Sequence, residues 1–216
     1  GIFTEEEIAK YAGTSARSSQ KILVSEAVRN GWDICTTDIS KAFLQGVTYE
    51  KLAEITGELL REVNFTLPTS IDCASILRKV PGLENFDPRT QVLHCDKPGT
   101  GLGDAPRAFS IKLKGVTNGP CQMESSLVDA ELCMRHVNGR LVALMTKHVD
   151  DLKITGEPEY VKQILSELQK VFGELKIEWH EFTNCGVRHV QDRASMEITL
   201  DQIAFAQNLK PITHKD

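Results

Sequence analysis

Three aspartates carry the strongest chemical suggestion in the sequence. Asp38 closes a strand-like stretch, and Asp150-Asp151 follow an apolar run where the pattern predicts the tip of a hairpin. Successive side chains on a strand point to opposite faces, so only a tight turn lets two adjacent carboxylates approach one centre. Clustered carboxylates repel one another and require a cation. Mg²⁺ takes hard oxygen ligands at about 2.0–2.1 Å, often one or two carboxylates together with substrate phosphates. The plainer reading of Asp150-Asp151 is a solvated turn, because Asp favours turns. Other chemistries find less support. Cys133 and His136 with His180, Cys185 and His189 invite zinc, but their spacing fits no compact finger. Gly99 to Gly103 lacks the Lys-Ser ending of a phosphate loop, and no G-x-S-x-G elbow is present.

Context gives the aspartates more weight. Asp38-Ile39-Ser40-Lys41-Ala42-Phe43-Leu44-Gln45-Gly46 resembles the first catalytic motif of reverse transcriptases of the copia type of retrotransposon. Gly101-Leu102-Gly103-Asp104-Ala105-Pro106-Arg107-Ala108-Phe109 is similar to that family's Gly-Leu-x-x-Ala-Pro-Arg-Ala-aromatic segment. His148-Val149-Asp150-Asp151 resembles its aromatic-Val-Asp-Asp box, and Ile154-Thr155-Gly156 follows. Phe172-Gly173-Glu174-Leu175-Lys176 and Cys185-Gly186-Val187 look like its Gly-Glu-Leu-Lys and Leu-Gly-Ile elements. The motifs keep the family's order across residues 20 to 210.

The resemblance implies an RNA-directed DNA polymerase (reverse transcriptase) working by two-metal nucleotidyl transfer. The two ions are Mg²⁺, with Mn²⁺ as a substitute, about 3.5–4 Å apart in such sites. Asp38 and Asp150 would bridge them, Asp151 would support the site at its edge, and the Ile39 carbonyl would add a ligand. Phe43 matches the steric gate that excludes a ribose 2′-OH; its ordinary alternative is a core Phe. Pro106 and Arg107 would lie under the incoming nucleotide and template. His148 and Val149 would meet the primer, and Trp179 and Gly186 fall where the family holds the primer end. The implied partners are an RNA or DNA template-primer, dNTPs, and the integrase and RNase H domains of a parent Pol polyprotein. Two rivals use the same residues: an inactive remnant that binds nucleic acid or a protein partner, and a two-metal nuclease.

Some positions depart from the family. His148 replaces an aromatic residue, usually Tyr, and Pro98-Gly99-Thr100-Gly101-Leu102-Gly103-Asp104 replaces Ser-Leu-Tyr-Gly-Leu-Lys-Gln. Lys153 stands on the returning strand where an apolar residue is expected. Residues 1 to 14, with Glu5, Glu6 and Glu7 against Lys10, do not resemble the family's basic fingers hairpin. With little thumb after Pro211, the expectation is retained metal binding and poor polymerisation by this piece.

The elements that must position these groups read as an α+β layer fold. The resemblance makes it a polymerase palm, a ferredoxin-like βαββ core with a catalytic hairpin, plus a partial fingers lobe. A single domain over 1–216, truncated at both ends, would divide into palm at 31–46 and 111–200, a fingers-like lobe at 47–110, and the start of a thumb at 201–216. Helices are predicted over 15–30, 49–54, 105–114, 158–172 and 201–209, and a short helix or turn over 41–45. Strands are predicted over 32–39, 62–67, 132–137, 141–148, 152–155, 175–181, 185–190 and 196–200. Asn138-Gly139 is a hairpin turn by composition.

The 216 residues are 41 % hydrophobic and 25 % charged with net charge −5, which excludes low-complexity disorder and argues against bulk electrostatic binding of nucleic acid. Lys97, Arg107, Lys112 and Lys114 against Asp104 leave a local +3 over residues 97 to 120. No apolar run reaches the roughly 20 residues of a membrane span. The six cysteines are scattered singly, as in reduced thiols, and the start carries no secretory signal. An intracellular protein cut from a longer chain is therefore expected.

Overall fold

A computed structural model describes residues 13–69 and 75–210. Cys73, the acidic N-terminal stretch and residues 211–216 of the expected thumb lie outside the described residues. The elements are, in chain order, α1 (Arg17–Asn30), β1 (Ile34–Asp38), a 3₁₀ turn (Ala42–Leu44), α2 (Tyr49–Thr56), β2 (Val63–Phe65), β3 (Leu93–Cys95) and α3 (Ala105–Asn118). They continue with β4 (Glu124–Ser125), β5 (Leu132–Val137), β6 (Arg140–His148), β7 (Asp151–Gly156), α4 (Pro158–Phe172), β8 (Lys176–Trp179), β9 (Glu181–Asn184), β10 (Val187–Gln191), β11 (Ile198–Asp201) and α5 (Ile203–Gln207). The mixed α+β class expected from sequence holds.

The chain divides into two compact units, one over Phe43–Phe109 and the other over the described residues 13–42 and 110–210. The smaller unit holds α2, capped by Thr48 and stopped by Gly57 at φ 72°, and the antiparallel pair β2–β3. Thr48 accepts from the Lys51 amide, which satisfies one donor of the first turn.

The larger unit is built on a six-stranded antiparallel sheet of order β4-β5-β6-β7-β1-β8, with a separate three-stranded sheet of order β11-β10-β9. Pairing register sorts the side chains into two faces. Ile34, Leu132 and Leu144 share one face and form a core with Leu23 and Val24 of α1 and Phe182 of β9. Arg135, one strand position out of phase, stacks on Tyr160 of α4 at 4.9 Å, which puts α4 on the opposite face. Val161, Ile164, Leu165, Leu168 and Phe172 make the buried stripe of α4, at the 3- and 4-residue spacing a helix needs to present one side.

Local signals explain most boundaries. Gly31 ends α1 in the left-handed region, and its N–H donates to the Ala27 and Val28 carbonyls. Asn138 and Gly139, at φ 52° and 76°, turn β5 into β6, as a two-residue hairpin turn requires.

Three expectations need correction. The first helix, predicted from residue 15, begins at Arg17, and its N-cap is Ala16 without a side-chain bond. Asp129, far along the chain, instead accepts from the Ala16 amide at 2.9 Å and from the Ser19 hydroxyl. The strand predicted over 175–181 is two strands in two sheets, because His180 at φ 65° bends the chain between β8 and β9. Cys185 and Gly186 are not strand residues. Both have positive φ, 51° and 73°, and they form the turn that joins Asn184 to its partner Val187.

Candidate functional site

The site sits where β1 ends. Asp38 is the last residue of β1 and lies between two neighbours, opposite Asp151 on β7 and opposite Lys176 on β8. Asp150 belongs to the turn that links β6 to β7, and its carbonyl accepts from the Ile39 amide at 3.2 Å. That backbone bond ties the end of β1 to the hairpin tip. The turn carries Val149 at φ 60°, a left-handed conformation in which a β-branched residue is a genuine outlier. Strain of this kind persists only where surrounding structure fixes it, and it gathers at functional sites.

The charges are coupled. Partial burial, then the carboxylates of Asp150 and Asp151, raise the Asp38 carboxyl above its ordinary value, with Lys176 opposing. Lys176 gives its ion pair to Glu178 at 2.6 Å, so it neutralises the acidic group only from a distance. Hard oxygen donors in excess of nearby cations suit a hard divalent ion. Among the described residues, no three His, Cys, Asp or Glu side chains already stand together as a metal-ligand cluster. The carboxylates therefore fit such an ion by charge and donor type, with side-chain adjustment needed to share it.

Behind Asp151 lies a buried polar cluster that composition hides. Thr36, two residues before Asp38 and so on the same face, puts its hydroxyl 2.9 Å from Asp151 Oδ1 and 2.9 Å from the Leu152 carbonyl. Asn184 of β9 donates to the same hydroxyl oxygen at 3.3 Å. Lys153, only 2 % exposed, reaches His189 Nε2 at 3.1 Å, while His189 Nδ1 donates to the Val187 carbonyl at 2.9 Å. Burial pushes Lys153 down to about 8, against the opposing pull of Cys185 and Asp151. Burial and then the Lys153 charge push His189 down to about 4, so the imidazole is neutral and accepts from the ammonium. Phe182 stacks on that ring at 4.9 Å.

Lys153 was the departure that sequence reading flagged, but its partners were invisible there. Thr36 and Asn184 were missed as site residues, and His189 was weighed only for zinc. Period-two spacing from Asp38 could have found Thr36; nothing local points from Asn184 to a residue 148 positions away.

The other candidates separate. Ile39 is buried and His148 pairs with Asp151 across β6 and β7, so Asp38, Ile39, His148, Val149, Asp150 and Asp151 gather in one region of the larger unit. Gly186 lies in the exposed β9–β10 turn, and Trp179 ends β8. Phe43, Pro106 and Arg107 belong to the smaller unit. Phe43 is half-buried. Pro106 occupies the first turn of α3, where its missing N–H costs nothing. Arg107 makes a two-pronged pair with Glu58 at 2.8 and 2.9 Å. Beside it, Asp104 is 3 % exposed and paired with Arg61. Two of the charges counted in the local basic stretch are thus already engaged within the unit.

Among the described residues, no helix is long and apolar enough to cross a membrane. No family model matches the chain. Among solved structures, it resembles an apo telomerase from Candida tropicalis truncated from its C-terminal domain, at a TM-score of 0.46 and 11 % identity over 88 % of this chain and 41 % of that one. Among curated proteins, it is similar to the retrovirus-related Pol polyprotein from transposon RE2 of Arabidopsis thaliana, 28 % identical over 204 residues. That match takes in 90 % of this chain but spans only 12 % of the relative's length, so the likeness is to one section of a much longer Pol polyprotein.

Proposed function

We propose that the chain is the reverse-transcriptase section of a copia-type retrotransposon Pol polyprotein, an RNA-directed DNA polymerase that adds deoxynucleotides to a primer. One observation carries the reading. Asp38 pairs directly with Asp151 across β1 and β7, the strained Val149 turn presents Asp150 beside them, and Asp38 feels the charge of both. The similarity to a section of a Pol polyprotein supports the same conclusion.

Asp38 and Asp150 would hold two Mg²⁺ ions, with the Ile39 carbonyl as a further oxygen donor and Asp151 at the edge. When bound, such ions stabilise the charge on the attacking and leaving oxygens of an in-line displacement. The chain's own residues supply orientation. The Ile39–Asp150 backbone bond fixes the two carboxylate-bearing segments to each other, and His148 offers a ring for the primer's terminal base. Phe43, Pro106 and Arg107 would select and seat the dNTP, and Gly186 would run beside the primer strand.

Primer extension on RNA and DNA templates, with Mg²⁺ and with Mn²⁺, tests this. Extension is expected to fall by at least about 10²-fold in Asp150→Asn, the scale on which lost charge stabilisation acts. Extension that survives Asp150→Asn overturns the polymerase. Arg107 favours one alternative, a non-catalytic remnant that binds nucleic acid, because Glu58 already occupies the guanidinium expected to meet the nucleotide. Template binding without extension, even by a chain lengthened at both ends, selects that alternative.

A further inference from the structure

We propose that Asn184 is a positioning residue for Asp151, acting through the Thr36 hydroxyl, so that the three-stranded sheet sets the side-chain direction of an acid carried by the six-stranded sheet. The proposal rests on the reading of Asp38, Asp150 and Asp151 as a metal-binding group, and it adds residues that the motifs do not contain.

The hydrogen bonds run in one direction. The Asn184 amide donates to Thr36 Oγ1 at 3.3 Å, so the oxygen accepts there and its single proton is free to donate. Two acceptors lie at 2.9 Å, Asp151 Oδ1 and the Leu152 carbonyl. A charged acceptor makes the stronger bond, so the proton goes to the carboxylate. One oxygen of Asp151 is thereby held.

Asn184 is a poor choice for stability alone. It is 1 % exposed, yet its Oδ1 has no hydrogen-bond partner, and an unmet buried acceptor is costly. An aliphatic side chain would avoid that cost but could not donate to Thr36. The neighbouring strand adds a second brace. His189 of β10 accepts from Lys153 at 3.1 Å, which holds an ammonium near Asp151 on the same face. Both braces come from the sheet that crosses over this face, and both end at the residues flanking Leu152.

The positioning can be read without metal or activity. In the metal-free chain, carbon–carbon and carbon–nitrogen couplings at Asp151 report its χ1 rotamer. A single rotamer is expected in the wild type and in Thr36→Ser, which keeps the hydroxyl. Averaged rotamers are expected in Thr36→Val and Asn184→Leu, with the thermal midpoint of Asn184→Leu unchanged or raised because its orphan acceptor is gone. Mn²⁺ titration followed by the signal of the free ion should then show about ten-fold weaker binding in both variants, the lower end of what lost outer-sphere support costs. Should Asp151 keep one rotamer in Asn184→Leu or in Thr36→Val, the relay is overturned. Asp150→Asn separates the two levels. Unchanged Mn²⁺ binding there overturns the metal-site reading, whereas lost binding there with wild-type binding in Thr36→Val and Asn184→Leu overturns the relay alone.

Discussion

On β7, Leu152 and Ile154 point to the face covered by α4, while Asp151 and Lys153 point to the face crossed by the three-stranded sheet. All four sit on six consecutive residues, and Leu152, Lys153 and Ile154 are equally buried, so depth does not distinguish the faces. Composition does. On the α4 side Met145, Leu152, Ile154 and the helix stripe need only shape and volume, and the buried charges of that face, Arg135 and Lys147, are engaged by Gln122 and Glu131. The other side is apolar around Ile34, Leu132 and Leu144 and turns polar toward the end of β1 and the start of β7, where every group needs a partner of the right kind. The difference shows which half of the sheet is built for stability and which gives stability up.

The largest effect should come from the apolar face. Ile154→Ala, on a fully buried side chain, should cost about 2–5 kcal/mol, read as a lower urea midpoint with the metal-free Asp151 rotamer unchanged. A loss below 1 kcal/mol would erase the contrast.

Lys153→Met should act in the opposite direction, by on the order of 1–3 kcal/mol, since a buried charge with an imperfect partner is often improved by an apolar group. The sign follows from the lowered value. Lys153 titrates at about 8 in the fold and near 10.4 when unfolded. Its charge penalty is therefore complete below about pH 8 and is relieved as pH rises toward 10.4. The advantage of Met should be greatest at neutral pH and shrink by pH 10. His189 gives an acid limb of the same kind: held at about 4 against an ordinary value near 6.5, it costs stability as pH falls between those values. Urea melts at pH 4.5, 7 and 10 check all three points.

Val149→Gly should stabilise the metal-free chain by about 1 kcal/mol, the left-handed penalty of a non-glycine residue less the entropy that glycine loses on folding. Extension should drop, because the turn that presents Asp150 is loosened.

The smallest shift is expected for Asp38→Asn. The raised carboxyl means that ionised Asp38 disfavours the fold, so its contribution falls as pH rises through the raised value. The amide should lift the thermal midpoint at pH 7 by no more than about 2–4 °C and give no gain in acid, where Asp38 is already protonated. The same variant should lose Mn²⁺ binding.

Much of the frame was legible because short-range physics decides it. The α4 stripe with Pro158 and Gly173 is read directly from spacing, and Asn138-Gly139 from turn chemistry. Asp38 and Asp150-Asp151 were legible as a pattern, and the pairing of Asp38 with Asp151 brings two of them together. What stayed hidden depends on partners far along the chain. Asp129 caps α1 across 113 positions, and β3 is a three-residue strand visible only beside β2. The bend at His180 divides one predicted strand between two sheets, since periodicity cannot report which sheet a strand will join. Asn184 and His189 look like ordinary polar residues of a hairpin until the fold lays them over Thr36 and Lys153.

The sheet order has a consequence for synthesis. β1 pairs with β7 and β8, both made more than a hundred residues after it, while β5, β6 and β7 are sequential neighbours. As the chain leaves the ribosome, the β5–β6–β7 meander can close on itself at once. β1 must wait with both hydrogen-bonding edges bare and Ile34, Cys35, Thr36 and Thr37 open to any passing strand. Such non-local pairing is slow and prone to aggregation. The strand that brings Asp38 to the site is thus the one most in need of a chaperone, and the half-made chain is safest when translation past β8 is quick.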